Sequence, residues 1–290
     1  MSRPILFLLL FLLQAEMLYQ PQDKEISYIH QQVFPANPMY PAWSKQGQLA
    51  FQSAEKGKEH IFIYDHGKNA IIPLPTGNTS SFHPVWVPSR NAIVYDTGTG
   101  KNSRLFYMDL KTMRKKLLIP RPIACREASF TPSRHLVAFS GFDDRTQRWQ
   151  IFTYDFIYDN LNRLTNQNGD CSFPVFSPDG KRIAYLFRGN DHRNTLKIVN
   201  WYGDTPETIT DNILGKVSWS PDGWNILFVT LKNGFFSLSS IQYDGTQERE
   251  IYHSSQPLCC PVVNPVSHQI TFDKKTKNGF HLETLMKPLE

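Results

Sequence analysis

One interval governs this sequence. A large apolar residue recurs at Trp43, Trp86, Phe130, Phe176, Trp219 and Val263, at spacings of 43, 44, 46, 43 and 44, the differences of those numbers. Two places further on stand Pro88, Pro132, Pro178, Pro221 and Pro265; the first copy departs, with Lys45. Nine places on stand Tyr95, Phe139, Tyr185, Phe228 and Phe272, and the first copy, one residue short, puts Phe51 there. The clearest copy runs from Phe173 to Phe187, FPVFSPDGKRIAYLF. It reads as two strands around Pro178-Asp179-Gly180: proline presets φ, aspartate bonds its own backbone and glycine accepts positive φ. A fixed period of ~40–50 residues with several strands per unit is the signature of a propeller blade.

Each unit supplies two further strands. The third falls at His60–Tyr64, Arg104–Met108, Gln150–Tyr154, Thr195–Val199, Phe235–Ser239 and Phe280–Thr284. The fourth falls at Ala70–Leu74, Lys115–Ile119, Leu161–Thr165, Glu207–Thr210 and Arg249–Tyr252. The sixth unit reaches Glu290 after three strands, while an unmatched strand lies near Ile26–His30. An open ring would leave two bare sheet edges. The expected fold is therefore all-β, a six-bladed β-propeller of four-stranded blades, with the N-terminal strand completing the last blade. The propeller is expected over residues 24–290.

The first residues read as a processing segment. Ser2-Arg3 precedes the apolar run Ile5–Leu13, too short to span a bilayer, and Gln14-Ala15 offers a small residue before polar sequence. Residues 1–15 are expected to be a signal peptide, with 16–23 a short lead-in; an uncleaved anchor is the alternative. No cysteine near that site signals a lipoprotein, and no other stretch is apolar enough to cross a membrane. The mature chain is expected to be periplasmic or secreted, without a stable membrane span, and monomeric. The net charge of +5 is spread along the chain. Its densest run, Lys111–Lys116, falls at a hairpin tip and reads as a solvated turn, so no nucleic-acid partner is expected.

Within this frame the pattern P-x-[WF]-S-P-D-G-x-x-[IL]-[AL]-[FY], tightest at Pro174–Tyr185 and Val217–Phe228, resembles the TolB-like family of β-propeller repeats. The resemblance covers all six units. It implies a central channel lined by inner strands, periplasmic location, and binding of an envelope protein or peptide, with a Pal-like lipoprotein as one such partner. The family's namesake carries an α/β domain ahead of its propeller, for which residues 16–23 leave no room; a contact with TolA through that region is not expected. Similar propellers occur in oligogalacturonate lyase and beside the catalytic domain of prolyl peptidases.

Chemistry is sparse. No G-x-S-x-G elbow, H-E-x-x-H helix or phosphate-binding glycine loop is present. Cys125, Cys171, Cys259 and Cys260 show neither C-x-x-C nor Cys/His zinc spacing. They read as free or buried thiols, with a vicinal Cys259–Cys260 pair as the alternative. One constellation stands out. Three places before each anchor stand Tyr40, His83, Glu127, Phe173, Lys216 and Cys260. A ring would bring these together where each inner strand enters the channel, with Glu127 and Lys216 facing water. One histidine and one glutamate make a poor metal site, so no cofactor is expected and the six are candidate partner-binding residues; alternatively they only bind channel water. The favoured function is a non-catalytic binding or scaffold module of the cell envelope. The rivals are an oligogalacturonate-lyase-like enzyme working in the channel and a propeller accessory to a separate peptidase.

Overall fold

A computed structural model describes residues 26–28, 37–65, 67–133, 135–277 and 279–285. The expected signal segment and lead-in lie outside these. The strands are β1 (Ile26–Tyr28); β2 (Met39–Trp43), β3 (Leu49–Glu55), β4 (Lys58–Asp65) and β5 (Ala70–Pro73); β6 (Ser81–Trp86), β7 (Ala92–Thr97), β8 (Arg104–Asp109) and β9 (Lys115–Leu117). They continue as β10 (Cys125–Phe130), β11 (Leu136–Asp143), β12 (Arg148–Asp155) and β13 (Asn160–Arg163), then β14 (Asp170–Phe176), β15 (Arg182–Arg188), β16 (Asn194–Asn200) and β17 (Glu207–Thr210). The last are β18 (Ser218–Trp219), β19 (Asn225–Lys232), β20 (Phe235–Gln242) and β21 (Arg249–Ser254), with β22 (Leu258–Val263), β23 (Ile270–Thr276) and β24 (Gly279–Leu285).

These make six antiparallel sheets of four strands, five of them in simple chain order and the sixth as β1-β24-β23-β22. The N-terminal strand therefore closes the ring, with Ile26, Ser27 and Tyr28 opposite Leu285, Thr284 and Glu283. The architecture is the six-bladed propeller expected from the repeats.

The periodic aromatics explain why the blades stack. Phe51, Tyr95, Phe139, Tyr185, Phe228 and Phe272 sit near the middle of each second strand and are fully buried. Each fills the seam with a neighbouring blade. Tyr95 packs with Ile61, Ile63 and Met108 between blades one and two, and Phe139 with Val94 and Leu105 between two and three. Leu282 of the last blade packs with Leu49 and Phe51 of the first, so the ring is also sealed by apolar contact. The anchors add polar stitches. Trp86 Nε1 donates to Ala42 O at 2.9 Å, Trp219 Nε1 to Val175 O at 3.0 Å, and Trp43 Nε1 to Thr271 Oγ1 at 3.1 Å, each reaching the preceding blade.

The Pro-Asp-Gly turns take the expected form. Gly180 and Gly223 have φ of 72° and 76°, and each amide donates to the serine three residues earlier. Asp179 accepts from the Lys181 amide at 3.0 Å, and Asp222 from the Trp224 amide at 2.9 Å. The basic run lies in the solvated β8–β9 turn, where Asp109 Oδ1 accepts from the Lys111 and Thr112 amides.

Candidate functional site

Five of the six ring residues lie within the inner strands rather than at their entrances, and Lys216 stands two residues ahead of β18. Tyr40, His83, Glu127, Phe173 and Cys260 have φ of 53°, 49°, 58°, 51° and 52°. In each of these blades the pairing slips by one residue at that point, so the residue forms a β-bulge that turns the chain toward the axis. Non-glycine side chains at positive φ cost free energy, and five at equivalent places around one axis mark a site held by its surroundings. Blade five differs. Gly215 takes the left-handed conformation there, φ 73°, and Lys216 follows it. Ile213 faces Thr230 and Ser218 faces Leu227, five residues on one strand against three on the other. The bulge of blade five is thus one residue wider than the rest.

Three of the six pack as an aromatic group. The Tyr40 and His83 rings meet edge-on at 4.6 Å, His83 and Phe173 edge-on at 5.3 Å, and Tyr40 stacks on Phe173 at 6.0 Å. All three are half-buried. The spacing brought together residues of blades one, two and four that are distant in sequence.

Acceptors tie the ring residues together, Gln52 and Asp96 from the second strands and Glu127 from the ring itself. Gln52 Oε1 accepts the His83 amide at 3.0 Å. Asp96 Oδ1 accepts the Glu127 amide at 3.2 Å and lies 2.9 Å from His83 Nδ1. Glu127 Oε2 accepts from the Phe173 amide at 2.9 Å and from Ser140 Oγ at 2.6 Å, while Oε1 lies 3.2 Å from Arg126 Nε. Glu127 was expected to face water and does not. It is 5% exposed because these donors draw its carboxylate into the wall, where it ties blade three to blade four. Burial lowers the affinity of His83 for a proton, but the charge of Asp96 and its hydrogen bond more than offset this, so the imidazole titrates above its ordinary value.

Lys216 remains half-buried. Burial pushes its ammonium below the usual lysine range, against the fields of Cys260, Asp273 and Glu127. Cys260 is 2% exposed, and burial raises its thiol well above the ordinary value. Burial first, then the fields of Cys260, Cys259, Asp273 and Glu127, raises the Tyr40 phenol. Asp273, which the spacing did not single out, is fully buried; burial and Cys260 hold its carboxyl well above the usual carboxylate range. A signal did exist: Asp273 follows the periodic Phe272 as Asp96 follows Tyr95 and Gln52 follows Phe51.

The turn side of the channel was also missed. A cavity of about 430 Å³ is lined there by all six blades, including the anchors Trp43, Trp86, Phe130, Phe176, Trp219 and Val263. In the sequence the anchors mark only the repeat, which leaves out the faces they turn to the axis.

The TolB β-propeller domain family matches residues 27–265. The Tol-Pal system protein TolB of Francisella tularensis subsp. holarctica (strain OSU18) is 23% identical over 193 residues, 64% of this chain and 44% of that protein. The chain thus spans less than half the length of the curated relatives it matches. TolB from Acinetobacter baumannii superposes with a TM-score of 0.64 at 21% identity, covering 76% of this chain and 56% of that one. An oligogalacturonate lyase in complex with manganese superposes at 0.62 with 13% identity, covering 88% and 90%, a likeness of fold. On the family match across most of its length, this chain belongs to the TolB β-propeller family.

Proposed function

We propose that the chain is an exported, non-catalytic propeller of the cell envelope that binds a protein or peptide partner in its channel. The observation that carries this reading is the group formed by Tyr40, His83 and Phe173, half-buried rings presented on bulges, with the Lys216 ammonium near enough for His83 to feel its charge. Aromatic walls with one cation suit a peptide segment that carries an acidic group. The Tol-Pal name of the relatives points to a Pal-type lipoprotein as the partner. Periplasmic location and cleavage after Ala15 belong to the same proposal.

A lyase reading has less support. The ring offers one imidazole, His83, already bonded to Asp96, and one ring carboxylate, Glu127, already engaged by two hydrogen-bond donors and by the Arg126 guanidinium. Those groups do not fit manganese, which takes available oxygen and imidazole donors.

The test is calorimetric titration of the full chain with the soluble domain of a Pal-type lipoprotein from the same organism. Phe173→Ala and Lys216→Ala should each weaken binding about tenfold or more, as loss of a central anchor does, with the melting temperature little changed. Affinities that stay at the unsubstituted value would move the binding surface off the ring. A Pal-type domain that does not bind at all would remove the proposed partner.

A further inference from the structure

A second site lies where blades five and six meet. Successive residues of a strand point to opposite faces, so Cys259 and Cys260 would ordinarily diverge. The bulge at Cys260, φ 52°, undoes that alternation, and the two sulfurs lie 2.8 Å apart. Across the hairpin, Cys259 is directly opposite Asp273. One ligand atom from each of Cys259, Cys260 and Asp273 falls within 4.8 Å of the others.

Two features indicate that this pocket takes a ligand. Asp273 is 0% exposed, and neither carboxylate oxygen has a hydrogen bond of ordinary geometry; the amides of Tyr40 and of Asp273 itself lie near enough to favour its charge, and the Cys260 thiol near enough to oppose it. A buried carboxylate so weakly held is costly. Independently, the wide bulge of blade five clears space for the sulfurs. A Cβ on Gly215 would lie 2.1 Å from Cys259 Sγ and 3.3 Å from Cys260 Sγ, and its φ of 73° already favours glycine.

We propose that Cys259, Cys260 and Asp273 bind a thiophilic divalent cation of the zinc class, with the remaining coordination position open to the channel. Two thiolates and a carboxylate are a soft-to-borderline donor set that suits zinc far better than magnesium or calcium. Tetrahedral zinc holds sulfur at about 2.3 Å, so the two sulfurs would separate modestly from their present contact. Binding releases the two thiol protons to solvent, together with the proton of the Asp273 carboxyl wherever burial has kept it there. The resulting complex carries one net negative charge, and the Lys216 ammonium, which already feels Cys260 and Asp273, offsets it. The spacing of the cysteines could not signal this, because the third ligand comes from the next strand and the convergence depends on a bulge.

The reduced, chelator-treated full chain should be titrated with cobalt(II) as the optical probe and then with zinc. The expected result is a tetrahedral thiolate–cobalt spectrum at one ion per chain, displaced by zinc, and a zinc-dependent rise in melting temperature. Cys259→Ser and Asp273→Asn should each weaken cobalt binding at least about tenfold, whereas the Cys125→Ser, Cys171→Ser double variant keeps the full spectrum. Asp273→Asn is nearly isosteric and leaves no carboxyl to ionise at a buried position, so it should fold without metal. Zinc should also protect Cys259 of the unsubstituted chain from maleimide, a readout that needs no variant. A reduced chain with no thiolate–cobalt absorption, a spectrum unchanged by Cys259→Ser and Asp273→Asn, or maleimide labelling indifferent to zinc would each overturn the proposal.

Discussion

His83 shows how one residue of the ring reports on its surroundings. Its Nδ1 faces Asp96, its ring touches Tyr40 and Phe173, and Glu127 and Lys216 act on it with opposite signs. Because its folded pKa lies above the ordinary 6.5, the folded state holds the proton more tightly than the unfolded chain. The stabilisation is complete below about pH 6.5 and is lost as pH rises through the folded value. Thermal melts across that window should show stability falling with pH. Asp96→Asn should flatten the fall: it keeps an oxygen for the Glu127 amide while removing the charge that holds the proton. A variant whose stability falls with pH as steeply as before would mean that another group carries the linkage.

At the scale of the element, the Pro-Asp-Gly turn was fully legible and the bulge was not. Gly180 and Gly223 follow Pro-Asp between two apolar strands, so their positive φ could be read from residue type. The bulges are occupied by tyrosine, histidine, glutamate, phenylalanine and cysteine, none of which announces a left-handed backbone. Spacing placed them in one ring, but their depth and the burial of Glu127 come from Asp96 and the Phe173 amide on the neighbouring blades and from Ser140 on the next strand of its own blade, partners that only the register reveals. The widened bulge at Gly215 was hidden for the same reason. The turns also join blades: a Cβ on Gly180 would approach Pro132 Cδ at 3.3 Å, and one on Gly223 would approach Pro178 Cδ at 3.4 Å. Gly180→Val therefore brings backbone strain and pressure on the preceding blade. Urea unfolding should show a loss on the order of 1–2 kcal/mol; a loss under a few tenths would mean that the turn relaxes freely.

For the whole molecule, closure is the decisive contact. Five sheets are built from consecutive strands, but the sixth needs β1 from the other end of the chain. The count of strands per repeat made that legible, since the last unit was one strand short and one strand was spare at the N-terminal end. What β1 contributes is the outer partner for β24, whose other edge pairs with β23. Without it, the outer edge of β24 loses its backbone partners and becomes a template for pairing with another chain. The other side of the same blade packs against blade one through Leu282, so loosening β24 also loosens the seam at Leu49 and Phe51. Deleting residues 16–32 should thus lower the melting temperature by roughly 5–10 °C, equivalent to a few kcal/mol for a domain of this size, and should promote self-association visible by light scattering. Supplying residues 16–32 as a free peptide should restore part of the loss in a concentration-dependent way. A truncated chain that melts with the full-length one and stays monodisperse would show that the seam between blades six and one holds the ring without its terminal strand.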